Sequence, residues 1–312
     1  MRDRLLLAAL KTVPASLAQH VLFLLRSNPE IPDRWGHHIR PIHWGEPLPD
    51  FREITVERAV ERREPSAIEF DLDSQLLLQA RLGRTFGAEL DALAQESGPA
   101  AFPFLNGYFE GLDAAIYYAL IRELKPRRII EIGSGFSTRI AARAVARNLA
   151  EGSHAELTCV EPFPERRLTD AALPMTLIRE RVERVPMALF ESLQVNDVLL
   201  IDSSHVAKFG GDVTREFLDI LPRLQQGVWV HVHDIFFPHD YPADWLIEAR
   251  HAWNEQYFLE AFLKFNRAFA PAFAAHWLWS DYRHELDACW PASVIRAIGP
   301  AGPASFWMTR VA

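Results

Sequence analysis

The chain has 312 residues, of which 49% are hydrophobic and 24% are charged, a composition typical of a soluble globular protein with a sizeable core. Its net charge of −8 argues against a general nucleic-acid binder, because such proteins draw most of their affinity from Lys and Arg on phosphates. The two cysteines, Cys159 and Cys289, form neither a disulfide framework nor a zinc motif, which fits a cytoplasmic protein.

The first 105 residues are predicted to form an N-terminal, mainly helical extension. Residues 1–30 have helical spacing that breaks near Pro14, and the prolines of 31–50 disfavour a helix there, because proline removes a donor and constrains the preceding residue. A further helical pattern covers 66–94. We therefore expect a boundary between an extension, 1–105, and a main domain, 106–312.

Two features of this extension could point to other functions. The apolar segment 5–25 is interrupted by polar residues and lacks the cleavage pattern of a signal peptide. We therefore expect no stable membrane insertion, and an amphipathic helix at a membrane surface is the open alternative. His37, His38 and His43 match no zinc spacing, so an ordered loop or lid is the expected structure.

A glycine turn lies near the middle of the chain. In the segment RRIIEIGSGFST (127–138), a short apolar strand leads to Glu131, Gly133-Ser134-Gly135 and a helical pattern. Glycine reaches backbone angles closed to other residues, and the missing Cβ of Gly135 lets a ligand lie against the main chain. Thr138 stands where a dinucleotide fingerprint has its third glycine, which disfavours NAD.

Three later strand-like runs also end in acidic residues. The runs 157–160, 198–201 and 227–232 lead to Glu161, Asp202 and Asp234, respectively. In an open parallel sheet, ligands bind at the carboxyl ends of the strands, and an acid at the end of the second strand suits the hydroxyls of a ribose.

The C-terminal third supplies the remaining elements. Apolar residues at helical spacing predict a crossover helix over 212–224. A long, aromatic-rich helix is expected after Pro242, and Ala272 to Tyr282 and Ser305 to Val311 are predicted to be strands.

The motifs EIGSG (131–135), VEP (160–162), LLIDSSH (199–205) and HDIF (233–236) resemble those of class I S-adenosylmethionine-dependent methyltransferases in order and approximate spacing. A more distant resemblance is to O-methyltransferases of the catechol and caffeoyl-coenzyme A type. The resemblance implies an α/β fold: a doubly wound, Rossmann-like, mostly parallel seven-stranded sheet with an antiparallel last strand, preceded by the helical extension.

The cofactor implied by the resemblance is S-adenosylmethionine. Clustered acids would favour its positively charged sulfonium. The residues expected to bind it are Glu131, Gly133, Ser134, Gly135, Glu161, Arg181, Val182, Asp202 and Ser203.

Asp202, His205 and His233 are the candidate catalytic residues. His205 stands where metal-dependent O-methyltransferases carry a lysine base, and histidine titrates near neutral pH. We expect His205 to be the general base, with a role as a structural cap as the alternative. Asp202 and Asp234 could bind Mg, Mn or Fe. Ile235 replaces the asparagine ligand of the resembled enzymes, so a metal is not favoured.

The predicted function is methyl transfer from S-adenosylmethionine to a hydroxyl, or less readily an amine, of a small molecule. The segment 106–312 would then be the methyltransferase domain, the catalytic part of the chain, and the segment 1–105 would act as a substrate lid. Two alternatives remain open: a metal-centred, hydroxylase-like enzyme on the same fold, and a cofactor-binding protein without catalysis. The sequence leaves open the acceptor and the oligomeric state, homo-oligomers included.

Overall fold

The computed structural model describes residues 2–63, 66–98, 101–164 and 173–312. By their internal contacts the residues form two compact units, Met1–Ile54 and Thr55–Ala312. The boundary predicted between residues 105 and 106 separates a lid from a catalytic domain by their functions. This division stays a prediction.

The first unit contains α1 (Arg2–Lys11), α2 (Ala15–Ser27) and α3 (Glu30–Asp33). The predicted break near Pro14 is confirmed, because Pro14 immediately precedes α2. Pro32 is the only buried residue between 3 and 54. In the described parts of the chain, no single helix is long and apolar enough to cross a bilayer, although Asp3–Lys11 and Ala15–Ser27, bent by 106°, meet that criterion as a pair.

The second unit is built on a seven-stranded sheet in the order β3-β2-β1-β4-β5-β7-β6. The first five strands run parallel, and β7 is antiparallel to both β5 and β6. The predicted fold, including its antiparallel last strand, is confirmed. The strands are β1 (Arg128–Ile132), β2 (Glu156–Val160), β3 (Thr176–Ile178), β4 (Val198–Ile201), β5 (Trp229–Val232), β6 (Phe269–Ala274) and β7 (Phe306–Arg310).

The register of the parallel strands places their carboxyl ends at one level. Ile132 at the end of β1 pairs with Val160 of β2 and Ile201 of β4. Ile201 in turn pairs with Val232 of β5. The residues that follow these four strands therefore meet at one edge of the sheet, where an open α/β sheet binds ligands.

Helices cover both faces of this sheet. Ile129 and Leu200 belong to a core shared with α6 and α7, whereas the alternate positions Ile130 and Leu199 pack with the segment 212–224 and α11, as the period of two in a strand requires. The α-helices are α4 (Val56–Ala59), α5 (Leu72–Ala94), α6 (Gly111–Leu124), α7 (Phe136–Ala150), α8 (Met187–Glu191), α9 (Asp212–Arg215), α10 (Ala243–Ile247), α11 (Glu255–Leu263), α12 (Ala275–Asp281), α13 (Arg283–Cys289) and α14 (Ala292–Ile295).

The strand predicted over Ala272 to Tyr282 is largely wrong. The observed strand, β6, ends at Ala274, and α12 follows at once. Short runs rich in apolar and aromatic residues fit both strand and helix patterns, and packing decides between them. The last predicted strand, Ser305 to Val311, is confirmed as β7.

Two predicted helices are interrupted. The crossover segment begins as α9, continues as a π-helix over Glu216–Ile220 and ends as a 3₁₀ turn at Leu221–Arg223, although its apolar face is buried as predicted. The long helix after Pro242 is divided into α10 and α11. Arg250, between them, has φ of 55°, a left-handed conformation that ends helices.

Candidate functional site

Gly133 begins the turn after β1. Its φ is +84°, and a Cβ at this position would lie 1.9 Å from the backbone oxygen of Asp202. The absence of a side chain thus lets the turn approach the end of β4. At Gly135, a Cβ would meet no protein atom within 4 Å, so open space borders the main chain there.

Glu131 holds the turn from inside the core. Its carboxylate is fully buried and accepts hydrogen bonds from the Tyr117 hydroxyl at 2.8 Å and from the Thr138 hydroxyl. The Thr138 oxygen in turn accepts from the Gly135 amide at 3.2 Å. Burial raises the pKa of Glu131 to about 7, against the effect of these hydrogen bonds. Through these hydrogen bonds Glu131 supports the turn.

We expect Glu131 to make stability fall as pH rises. Between pH 4.5 and about 7, the unfolded chain loses this proton before the folded one does, so the free energy of unfolding should decrease by roughly 3 kcal/mol. Glu131→Gln should remove this component, as denaturant unfolding at pH 5 and pH 8 would measure. The exposed Glu156→Gln is the control, and equal pH dependence in wild type and Glu131→Gln would contradict the prediction.

A cleft of about 460 Å³ opens at the carboxyl ends of β1, β2 and β4, within the size range of small-ligand sites. We call it the cofactor cleft. Its lining includes six of the nine residues predicted to bind cofactor: Gly133, Glu161, Arg181, Val182, Asp202 and Ser203.

The remaining three predicted residues lie in β1 or in the turn, outside this lining. Glu131 and Gly135 do not line the cleft, and neither does Ser134, whose hydroxyl is buried without a hydrogen-bond partner among the described residues. Glu161, at the end of β2, accepts a 2.7 Å hydrogen bond from the Phe163 amide through one carboxylate oxygen. This bond orients the Glu161 carboxylate at the wall of the cleft.

Asp202, His205 and Asp234 meet at the ends of β4 and β5. His205 Nε2 lies 3.4 Å from a carboxylate oxygen of each aspartate. One ligand atom from each of the three lies within 4.8 Å of the others. We call these residues the strand-end cluster. Asp202 also lines the cofactor cleft, so cleft and cluster are contiguous.

The other ring nitrogen of His205 is held by a fourth residue. His205 Nδ1 lies 2.8 Å from Glu255, which is fully buried at the start of α11. The backbone amides of Asn254 and Glu255 donate to the His205 carbonyl at 3.0 and 3.2 Å. The first turn of α11 is therefore anchored on His205, which brings the Glu255 carboxylate to its ring.

Charges within the cluster shift its pKa values. Burial lowers the pKa of His205, but hydrogen bonds to Asp202 and Glu255 and the charge of Asp234 raise it well above 6.5. Burial raises the pKa of Asp202, and the nearby His233 and His205 outweigh this and lower it to about 2. The cluster therefore favours a cationic group between its carboxylates.

The other two histidines of this edge are buried in the sheet. His233 Nε2 lies 3.4 Å from the Tyr108 carbonyl and 3.8 Å from Asp234. His231 Nε2 lies 2.9 Å from the Ser305 hydroxyl, and its side chain is fully buried. His233 thus borders the cluster without completing it.

Sequence reasoning missed Glu255, which lies fifty positions beyond His205 and is marked by no motif. Trp253, an aromatic residue that the sequence allowed either as packing or as a wall of a substrate pocket, lies against His205 with ring centroids 4.4 Å apart and planes tilted by 42°. The available signal was a carboxylate in the first turn of an aromatic-rich helix, which alone indicates only favourable helix capping.

Comparison with known proteins gives a family match for the region of the site. Residues 130–235 match the family model described as "Methyltransferase domain". This segment begins in β1 and ends just beyond β5, so it includes the strand ends and both aspartates of the cluster.

A protein of Archaeoglobus fulgidus, described as an uncharacterized protein, is 29% identical over 176 residues, which cover 52% of this chain and 76% of that protein. An O-methyltransferase from Bacillus cereus in complex with SAH is 13% identical, with a TM-score of 0.39. The aligned region covers 76% of this chain and 100% of that enzyme. The apo structure of CalS11, a TDP-rhamnose 3′-O-methyltransferase of calicheamicin biosynthesis, is 12% identical, with a TM-score of 0.38 and coverages of 79% and 99%.

The family match covers the five parallel strands, and the sheet order and the glycine turn are those implied by the motifs. Residues 130–235 thus match a methyltransferase domain, which supports the predicted class I S-adenosylmethionine-dependent methyltransferase.

Proposed function

We propose that the protein transfers the methyl group of S-adenosylmethionine to a hydroxyl of a small molecule, and that Asp202, His205 and Asp234 hold a divalent metal ion beside the acceptor. The observation that carries the proposal is the convergence of three ligand atoms within 4.8 Å at the border of the cofactor cleft. An amine acceptor has less need of such a cluster, because a neutral amine is a good nucleophile before it loses a proton, whereas a hydroxyl is a poor one.

The residues of the strand-end cluster fit a metal ion. Two carboxylates and one imidazole are ligands that suit Mn and Fe, and Mg when waters complete the shell. His205 is also held as metal-binding histidines usually are, with its second nitrogen on a carboxylate, here Glu255. Such an ion, when bound, supplies a Lewis acid that lowers the pKa of the acceptor hydroxyl.

The protein's own residues would place the two reactants. The cofactor, bound along the ends of β1 and β2, would present its methyl group near Asp202, the residue shared by cleft and cluster. Methyl transfer is an in-line displacement, so alignment of the acceptor oxygen behind the methyl group would supply much of the rate acceleration. Trp253, whose ring lies against that of His205, would form one wall of the acceptor site.

The second candidate mechanism keeps His205 as general base without a metal. It is favoured by the position of Nε2 between two carboxylates, 3.4 Å from each, where a proton taken from the acceptor could be shared. Against it, the same carboxylates and Glu255 raise the pKa of His205 well above 6.5, which favours the protonated ring and opposes its use as a base, whereas a bound divalent cation would take the place of that proton at Nε2.

Chelation separates the two mechanisms. Protein treated with EDTA and dialysed should form almost no S-adenosylhomocysteine with a panel of hydroxyl acceptors, and Mn or Mg should restore the activity. Matched amines, in which nitrogen replaces the reacting oxygen, serve as the comparison. Full activity after chelation would assign His205 as the base, and preferential methylation of the amines would refute the hydroxyl acceptor.

Glu161→Ala tests the cofactor side of the proposal. If the Glu161 carboxylate binds the ribose hydroxyls, its removal should weaken S-adenosylmethionine binding by about 1.5–3 kcal/mol, the worth of hydrogen bonds to a charged group. Isothermal titration calorimetry measures the change. Glu156→Ala, at the opposite end of the same strand, is the control and should leave affinity unaltered. Unchanged affinity in Glu161→Ala would remove this residue from the site.

A further inference from the structure

The helices α1 and α2 carry apolar side chains that are exposed and not packed into a hydrophobic core. In α2 no residue is buried, and Leu17, Leu22 and Phe23 are 53%, 52% and 54% exposed. Soluble monomers rarely expose contiguous apolar patches of this kind, and such patches mark interaction sites. The other exposed apolar residues of the two helices and their linker are Leu5, Leu6, Leu7, Leu10, Val13, Val21 and Leu24.

The charge of this segment is opposite to that of the chain. Residues 1–27 hold four basic residues and one acidic residue, a net charge of +3, whereas the whole chain carries −8 and the remainder therefore −11. Lys11 and Arg26 lie in the last turns of α1 and α2, at the ends of the apolar stretches. Long basic side chains at such positions can reach a lipid headgroup while the apolar residues are buried.

Two exposed tryptophans belong to the same unit. Trp35 is 66% exposed and Trp44 is 93% exposed. Tryptophan concentrates at membrane–water interfaces because its ring is apolar and its indole N–H is polar. Neither helix is long enough to span a bilayer alone, which suits helices that lie in the interface.

We propose that α1 and α2 bind the surface of a bilayer containing anionic phospholipid. A second copy of this chain is the rival occupant, but pairing two copies of this surface would bring two segments of charge +3 together. Anionic headgroups provide the complementary charge, and the acyl boundary provides an apolar medium for the leucines. Membrane attachment would be independent of the methyl-transfer chemistry.

Vesicle sedimentation tests the proposal with the full chain. The protein should bind vesicles of phosphatidylcholine mixed with phosphatidylglycerol, and bind vesicles of phosphatidylcholine alone much more weakly. Leu17→Gln should weaken binding by about tenfold, as expected for one buried leucine. Arg26→Glu should weaken it by about tenfold as well, because it both removes and reverses a charge near the surface.

Matched substitutions elsewhere provide the controls. Leu149→Gln changes a leucine of nearly equal exposure, 55%, and Arg223→Glu reverses an exposed charge; both should bind vesicles as the wild type does. Absence of binding, equal binding to both vesicle types, or equal binding by Leu17→Gln would overturn the proposal. A dimer in sedimentation velocity that Leu17→Gln dissociates, without vesicle binding, would assign the surface to a second copy.

Discussion

Substitution of His205 by alanine is expected to reduce the rate of methyl transfer by about 10²–10⁴-fold, the usual contribution of a positioned acid–base group and a comparable loss for a metal ligand. The affinity for S-adenosylmethionine should stay nearly unchanged, because His205 does not line the cofactor cleft. Initial rates and calorimetry measure the two effects. His251→Ala, a nearby histidine that stacks on Trp253 with centroids 4.7 Å apart, is the control.

The same variant distinguishes the two mechanisms. As a metal ligand, His205 should be needed for Mn binding, so the alanine variant should bind Mn at least tenfold more weakly in a titration. If His205 acts as a base without a metal, its removal should leave the affinity for Mn unchanged. Retention of most activity together with unchanged metal affinity would make His205 structural and His233 the next candidate.

Gly133→Ala is expected to destabilise the fold more than any other single change in the cofactor turn. A Cβ would lie 1.9 Å from the Asp202 oxygen, and φ is +84°. The left-handed backbone alone costs roughly 1–3 kcal/mol, and relief of the clash would also displace the end of β4. Denaturant unfolding should show a loss of at least about 3 kcal/mol or an insoluble product.

Gly135→Ala is the matched control for Gly133→Ala. Its Cβ would meet no atom within 4 Å, so the free energy of unfolding should hardly change, while S-adenosylmethionine binding should weaken if a ligand lies against the main chain. A stable Gly133→Ala protein would show that β1 and β4 do not need this close approach.

The parallel half of the fold was predictable because its signals are local. Each of β1, β2 and β4 is a short apolar run followed directly by a glycine or an acid, and β5 is followed by His233 and then by an acid. Parallel pairing then brings Gly133, Glu161, Asp202 and Asp234 to one edge. These four residues lie together because the parallel strands pair in register, so that their carboxyl ends are level. The C-terminal third gave weaker predictions, since α12 and β6 share an apolar, aromatic composition that fits either type of element.

The support of the cluster could not be predicted in the same way. Glu255 reaches His205 only because Arg250 interrupts the expected long helix and α11 restarts on the His205 carbonyl. That contact depends on a left-handed residue and on tertiary hydrogen bonds. Neither of these produces a recognisable pattern of residues in the sequence. The proposal of a metal in place of a free base likewise rests on the number of carboxylates around one imidazole, which the sequence does not show.

His205 and Asp234 both have left-handed backbones, with φ of 59° and 56°. Glycine adopts this conformation without the steric cost of a Cβ, so it would relieve strain of roughly 1 kcal/mol at each position. Selection for the fold alone would therefore favour glycine at both positions over evolutionary time. Descendants that keep a histidine and an aspartate there should be those still under selection for the proposed chemistry, and lineages that have lost the activity should drift toward glycine at these positions first.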